Sequence, residues 1–231
     1  MDIPDIAQRP WLLLPGTLCT AFVFDGFLDD LGVPTAHRMA VALDRPSVAD
    51  YQSDFKDLPA DSIVCGFSLG AIVAAQYADR IKPHQLILFG LNPHADDPRK
   101  EQSRRDLERD VIEMGGAAAL KLRPMQIHGQ QPDKTRDAIY AMAEASSQLI
   151  TAQTALALNR PSALPALARS TMPVLSLTGT LDQSAPPSQG IAAAEAAPRG
   201  TFRELDGLGH FALIEDPAAC AMAVKQLMDA A

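Results

Sequence analysis

Val64-Cys65-Gly66-Phe67-Ser68-Leu69-Gly70-Ala71 places a serine between two glycines, at the point where a short apolar run gives way to a helical pattern. A G-x-S-x-G turn forces its central residue into a strained backbone conformation, and the flanking glycines let strand and helix pass without Cβ clashes. The hydroxyl of Ser68 is lifted out of such a turn, and the N-terminus of the following helix is aimed at whatever it attacks. Ser68 is therefore the candidate nucleophile, provided that the surrounding chain supplies the strand before it and the helix after it.

Both are present, and the pattern repeats outward. Ser62 to Cys65 is the strand that ends at the turn, and Ile72 to Ala78 is small and apolar nearly all round, as suits a helix packed on a sheet. Upstream, Trp11-Leu12-Leu13-Leu14 is a buried strand stopped by Pro15-Gly16, followed by helical spacing of Phe22, Val23, Phe27, Leu28 and Leu31. Thr35 to Val41 reads as a weaker strand. Ser47, with Asp50 three residues on, caps a helix reaching Phe55 or Leu58. Downstream, Gln85 to Gly90, Met172 to Gly179 and Thr201 to Leu205 are strands, and helices follow at Ser188 to Ala197 and Pro217 to Met228. Strands alternating with helices call for a parallel sheet with right-handed crossovers.

The rhythm breaks between about residues 98 and 167, which contain helical patterns but no convincing strand, and this segment is read as a helical insertion. Leu107, Val111 and Met114 are spaced to line one face of its first helix, with Glu101/Arg105 and Arg109/Glu113 as i, i+4 pairs. Arg104, Arg105 and Arg109 form a basic group with two readings: an anion-binding patch or a solvated, salt-bridged face. The interleaved acids favour the second. The many Ala, Leu, Ile and Met residues of the insertion suggest an apolar or acyl substrate group.

The chain has 231 residues, 47% of them hydrophobic and 21% charged, which is ordinary globular composition and fits one domain over 1–231. A formal net charge of −8 disfavours nucleic acid and acidic membrane surfaces as partners. Met1 to Pro10 lacks the basic and apolar regions of a secretory signal, and no apolar run reaches transmembrane length. Three widely spaced cysteines, Cys19, Cys65 and Cys220, fit neither a disulfide framework nor a zinc site, so a cytoplasmic location is expected. Cys65 neighbours the nucleophile turn but reads as a small buried hydrophobe.

A serine hydroxyl needs a base, and the base needs an orienting group. His210 lies in Gly207-Leu208-Gly209-His210-Phe211, after the last strand, on the edge of the sheet where parallel strands gather their C-terminal loops. Asp182, in Gly179-Thr180-Leu181-Asp182-Gln183, occupies the matching position after the preceding strand, with Asp206 as its rival. His37, His84, His94 and His128 lack that context, although His94 follows a strand and is placed to line a pocket. The backbone N–H groups of Leu69 and Thr17, with Leu18 as the fallback for Thr17, are the candidate oxyanion donors.

With these motifs in register, the chain resembles the α/β-hydrolase superfamily. The likeness rests on Leu-Leu-Leu-Pro-Gly before the first loop, on Gly66-Phe67-Ser68-Leu69-Gly70, on Pro173 to Asp182 followed by Pro186-Pro187, and on Gly209-His210-Phe211 before Glu215-Asp216-Pro217. Within the superfamily it is similar to compact capped carboxylesterases, including those that remove a methyl ester in biotin synthesis. The resemblance implies a serine esterase acting on a small or medium acyl ester through Ser68, His210 and Asp182, without metal or organic cofactor, beneath a helical cap at about 98–167. Many members carry His-Gly where this chain has Pro15-Gly16. Only ten residues precede the first buried strand, so the usual opening β-hairpin is expected to be absent and the sheet to hold about six strands. Serine at the turn argues against the family's dehalogenases and epoxide hydrolases, which carry aspartate there. Three alternatives accompany the esterase reading: a thioesterase or carrier-protein methyl-ester esterase, a cofactor-free lyase, and a ligand-binding member without turnover. The oligomeric state stays open.

Overall fold

Four strands are apolar on both faces because helices cover both sides of the sheet they form. The computed structural model of the chain describes residues 6–229, with the side chains of 6–227. The strands are β1 (Trp11–Leu14), β2 (Arg38–Ala40), β3 (Ile63–Phe67), β4 (Gln85–Phe89), β5 (Val174–Gly179) and β6 (Gly200–Leu205). They form one sheet in the order β2-β1-β3-β4-β5-β6, and every neighbouring pair is parallel. Six strands agree with the sequence reading, and among the described residues no strand precedes β1.

Side chains alternate between the two faces, as the pleat requires. Trp11, Leu13, Ile63, Cys65, Phe67, Ile87, Phe89, Leu175 and Leu177 point into one apolar cluster, shared with Phe27 and Leu28 of α1 (Asp25–Asp30) and Cys220 and Val224 of α11 (Pro217–Asp229). Leu12, Leu14, Val64, Leu86, Leu88 and Val174 point into the other, closed by Phe55 of α2 (Gln52–Lys56), Val73 of α3 (Leu69–Gln76) and Ala193 of α9 (Pro187–Ala196). All three cysteines are free and buried, and burial pushes the Cys65 thiol far above its ordinary range, so Cys65 packs rather than reacts.

Element boundaries depart from the sequence reading where turns are tight. The stretch from Phe22 to Leu31 is a 3-10 turn over Ala21–Phe24 followed by α1, and Thr35–His37 is a 3-10 turn that leaves only Arg38–Ala40 as strand. Ser47 does cap the next segment through a capping box: its hydroxyl accepts from Ala49 N–H, and Asp50 accepts from Ser47 N–H.

Between β4 and β5 run α4 (Glu101–Met114), α5 (Gly116–Lys121), α6 (Pro132–Ala145), α7 (Ile150–Asn159) and α8 (Leu164–Leu167), with no strand among them. After β6 comes the short α10 (Ala212–Glu215), leading into α11. Val111 and Leu107 of α4 pack with Leu18, Ala119 and Ile150, whereas Met114 is exposed and drops out of the expected apolar face. Glu101 pairs with Arg105 as expected, but Arg109 pairs with Asp106 and Asp110 in place of Glu113.

The chain leaves β1 for β2 on one side and returns to β3 on the other, so the loops after β1 and β3 diverge and open a crevice at the C-terminal edge of the sheet. Gly70 makes that crevice possible: a Cβ there would collide with the carbonyls of Leu14 and Pro15. Gly70→Ala is expected to cost about 3 kcal/mol or more and to lower Tm by about 6 to 12 °C. A melting curve matching the unsubstituted protein would show that α3 and β1 are not in close contact.

Candidate active site

Ser68 sits between the end of β3 and the first residue of α3 with φ 51° and ψ −115°, a conformation uncommon for any residue with a side chain. Its surroundings hold it there. The Ser68 N–H donates to Phe89 O at 2.9 Å and the Ser68 carbonyl accepts from Ile72 N–H. A Cβ on Gly66 would lie 2.5 Å from Ala71 Cα, so the turn closes only with glycine at that position.

The loop after β6 brings His210 across the sheet edge. Its ring packs against Phe67 and Phe211, with centroids 5.1 and 5.6 Å away. The buried Glu215 of α10 accepts from Gly209 N–H and His128 N–H and so pins the residue before His210. His210 Nε2 lies 3.1 Å from Ser68 Oγ, and His210 Nδ1 lies 2.7 Å from Asp182 Oδ2. An ionised carboxylate only accepts, so Nδ1 carries the proton toward Asp182 and Nε2 is left to accept from the serine. The other carboxylate oxygen of Asp182 accepts from Ser184 N–H at 2.8 Å and Ala185 N–H at 2.9 Å, which fixes the plane of the carboxylate. Asp182 is 4% exposed, so its bond to His210 is formed away from bulk water. Gly90, at φ 57°, leaves room for the pair: a Cβ there would lie 3.1 Å from the His210 ring and 3.4 Å from Asp182 Oδ2. The rival Asp206 is exposed.

Thr17 and Leu69 both border the cavity in front of Ser68. Leu69 opens α3, so its N–H has no partner within the helix. The fallback donor, Leu18 N–H, is already committed: it donates to the Oε1 of fully buried Gln153 at 2.9 Å. That bond reaches from α7 to the loop after β1, where Leu18 sits at φ 54°.

The cavity has a volume of about 110 Å³, and the helical segment contributes Lys100, Arg104, Ala157 and Arg160 to its walls, with Asn92 and Ser184 completing them. His94 is exposed, and Asn92 takes the place expected of it. The basic group divides. Arg105 and Arg109 are exposed and salt-bridged, as the sequence suggested, but Arg104 turns toward the cavity and holds Asp96 by two bonds of 2.6 and 2.8 Å. Arg160 reaches the same carboxylate at 2.8 Å.

Asp96, Arg160 and Gln153 are thus parts of the site that the sequence did not bring forward. Gln153 had a readable signal, a lone amide within the apolar run Ile150 to Ala157 of a helix, where a polar side chain at a buried position must find a partner. Asp96 and Arg160 had none, since each lies among polar or turn residues that look like ordinary surface.

The family model described as "Alpha/beta hydrolase family" matches residues 11–223. A comparison with curated protein sequences finds no match. Among solved structures, the chain is similar to a thermophilic esterase from Thermogutta terrifontis in its malate-bound form, with 18% identity, a TM-score of 0.79, and 97% of this chain and 90% of that one covered. It is similar also to the enol-lactonase from Burkholderia xenovorans, with 18% identity, a TM-score of 0.77 and coverage of 96% and 92%. MenH from S. aureus follows at 16% identity, a TM-score of 0.75 and coverage of 99% and 96%. At these identities the likeness is one of fold.

Proposed function

We propose, on the premise that the chain belongs to the alpha/beta hydrolase family, that it is a serine hydrolase cleaving a carboxylic ester through an acyl-enzyme. One observation carries the reading: the unbroken chain of hydrogen bonds from Asp182 through His210 to Ser68, ending at the mouth of a cavity.

His210 Nε2 takes the proton of Ser68 as Oγ attacks the ester carbonyl, and Asp182 stabilises the imidazolium that results. The negative charge on the carbonyl oxygen is met by the N–H groups of Leu69 and Thr17, reinforced by the N-terminus of α3. Collapse of the tetrahedral intermediate expels the alcohol, which receives the proton from His210. Water then attacks the acyl-Ser68 ester with His210 again as base, releasing the acid and restoring the serine. Side chains and backbone supply every step.

The segment from 98 to 167 serves as a cap, since four of its residues wall the cavity. The size of that cavity favours short acyl groups. Buried free cysteines and the lack, among described residues, of a helix long and apolar enough to cross a membrane suit a cytoplasmic enzyme. A carrier-bound substrate finds no support in Arg105 and Arg109, whose charges are matched by neighbouring acids.

Hydrolysis of a p-nitrophenyl ester series from acetate to decanoate tests the reading. The short members are expected to turn over at least about tenfold faster than decanoate, because each methylene beyond the pocket loses packing. Rates equal to those of Ser68→Ala at every length would overturn the hydrolase reading.

A further inference from the structure

We infer that the ester taken by this site carries a carboxylate, or an equivalent anionic group, seated on a wall made by Lys100, Arg104 and Arg160. The inference rests on the serine hydrolase reading only for the bond that is broken; the anion site itself is argued from the charges around the cavity.

Three cationic side chains and no acidic one line the cavity beside Ser68. Among the described residues, Asp96 is the one carboxylate paired with them, bound by Arg104 through the Nε and Nη2 edge of its guanidinium and by Arg160 through Nη1. Three positive charges share one ion-paired carboxylate, with Asp97 the further acid near Lys100, in a chain whose overall charge is −8. An ordinary structural tie neutralises itself, as Arg105 does with Glu101 and Arg136 with Asp133 on the surface.

Arg160 makes the excess costly. Its side chain is 2% exposed, its Nη1 is used by Asp96 and the Ala157 carbonyl, and its buried Nε has no partner. A guanidinium stays protonated at any physiological pH, so a buried one with an unused donor lacks only an acceptor. Desolvation draws the Arg160 pKa down against the opposing pull of Asp96, and the neighbouring Arg104 acts with desolvation. An incoming carboxylate relieves both, because its oxygens accept charge-assisted hydrogen bonds from the cationic wall. Asp96 contributes by positioning: it ties both guanidiniums together at the wall of the cavity that holds Ser68.

Two matched pairs test the anion on either side of the ester: monomethyl glutarate against methyl pentanoate, and 3-acetoxypropanoate against propyl acetate. Binding to the Ser68→Ala protein is measured by calorimetry and turnover with the unsubstituted protein. At least one anionic member is expected to bind about tenfold or more tightly than its neutral partner, the scale of one charge-assisted contact. In Arg104→Gln that preference is expected to fall to near parity, through KM rather than kcat. If Arg104→Gln does not fold, Lys100→Ala at the exposed rim carries the comparison, with an expected loss of about threefold. Both pairs binding within about twofold of each other would overturn the inference. Selective binding without turnover would retire the hydrolase reading and leave the anion site standing, whereas turnover of neutral esters without selectivity would do the reverse.

Discussion

Asp182→Asn is expected to lower kcat for ester hydrolysis by about 10⁴-fold while the protein stays folded. The size of the effect follows from the two sides of this carboxylate. Oδ1 accepts from Ser184 N–H and Ala185 N–H, and Oδ2 faces His210 Nδ1. An asparagine keeps its carbonyl on the two backbone donors and therefore presents its NH₂ to His210. The imidazole then accepts at Nδ1 and carries its proton on Nε2, the atom 3.1 Å from Ser68 Oγ. A protonated Nε2 points a hydrogen at the serine and takes no proton from it. The measurement is kcat on p-nitrophenyl acetate beside a melting curve. A variant with nearly full kcat would remove Asp182 from the mechanism.

Ser68→Ala is expected to have the largest effect, about 10⁶-fold in kcat. The Leu69 and Thr17 N–H groups proposed to meet the oxyanion do not depend on the hydroxyl, nor does the cavity, so a rate above the solution reaction is expected to persist. Alanine tolerates the left-handed backbone no worse than serine, and the fold is expected to be retained. Because nucleophile and base act as a unit, Ser68→Ala combined with His210→Ala is expected to be no slower than Ser68→Ala alone. A further large loss in the double variant would mean that His210 acts on substrate without Ser68.

The sheet was legible because its central strands have few alternatives. Trp11 to Leu14, Ile63 to Cys65 and Gln85 to Phe89 are too short and too apolar to be anything but strands covered on both faces, and each stops at proline or glycine. The positions of Ser68, Asp182 and His210 at three strand ends followed from the parallel topology, which delivers all such loops to one edge. β2 was harder, since only Arg38–Ala40 pairs, and none of its three residues is buried.

The walls of the cavity were least legible. Their residues come from the helical segment, where long-range packing decides which face turns inward. Composition there suggested an apolar lining, but the apolar residues of α4 pack on Leu18 and Ile150, and three of the four residues that the segment turns to the cavity are the charged Lys100, Arg104 and Arg160, the fourth being Ala157. Local spacing placed Arg104, Arg105 and Arg109 together. Only the fold separates Arg104, which finds Asp96 eight residues before it, from two arginines that find partners on their own helix.

Passage of the acyl group through Ser68 requires a covalent acyl-serine during turnover. That species is sought by mixing the protein with p-nitrophenyl acetate, quenching in acid at successive times, and determining the mass of the peptide that contains residues 64–71. An acetylated peptide is expected to appear early with the released nitrophenol, to carry the modification on Ser68, and to be absent from Ser68→Ala. Steady release of nitrophenol with no acetylated Ser68 at any time would contradict passage through Ser68.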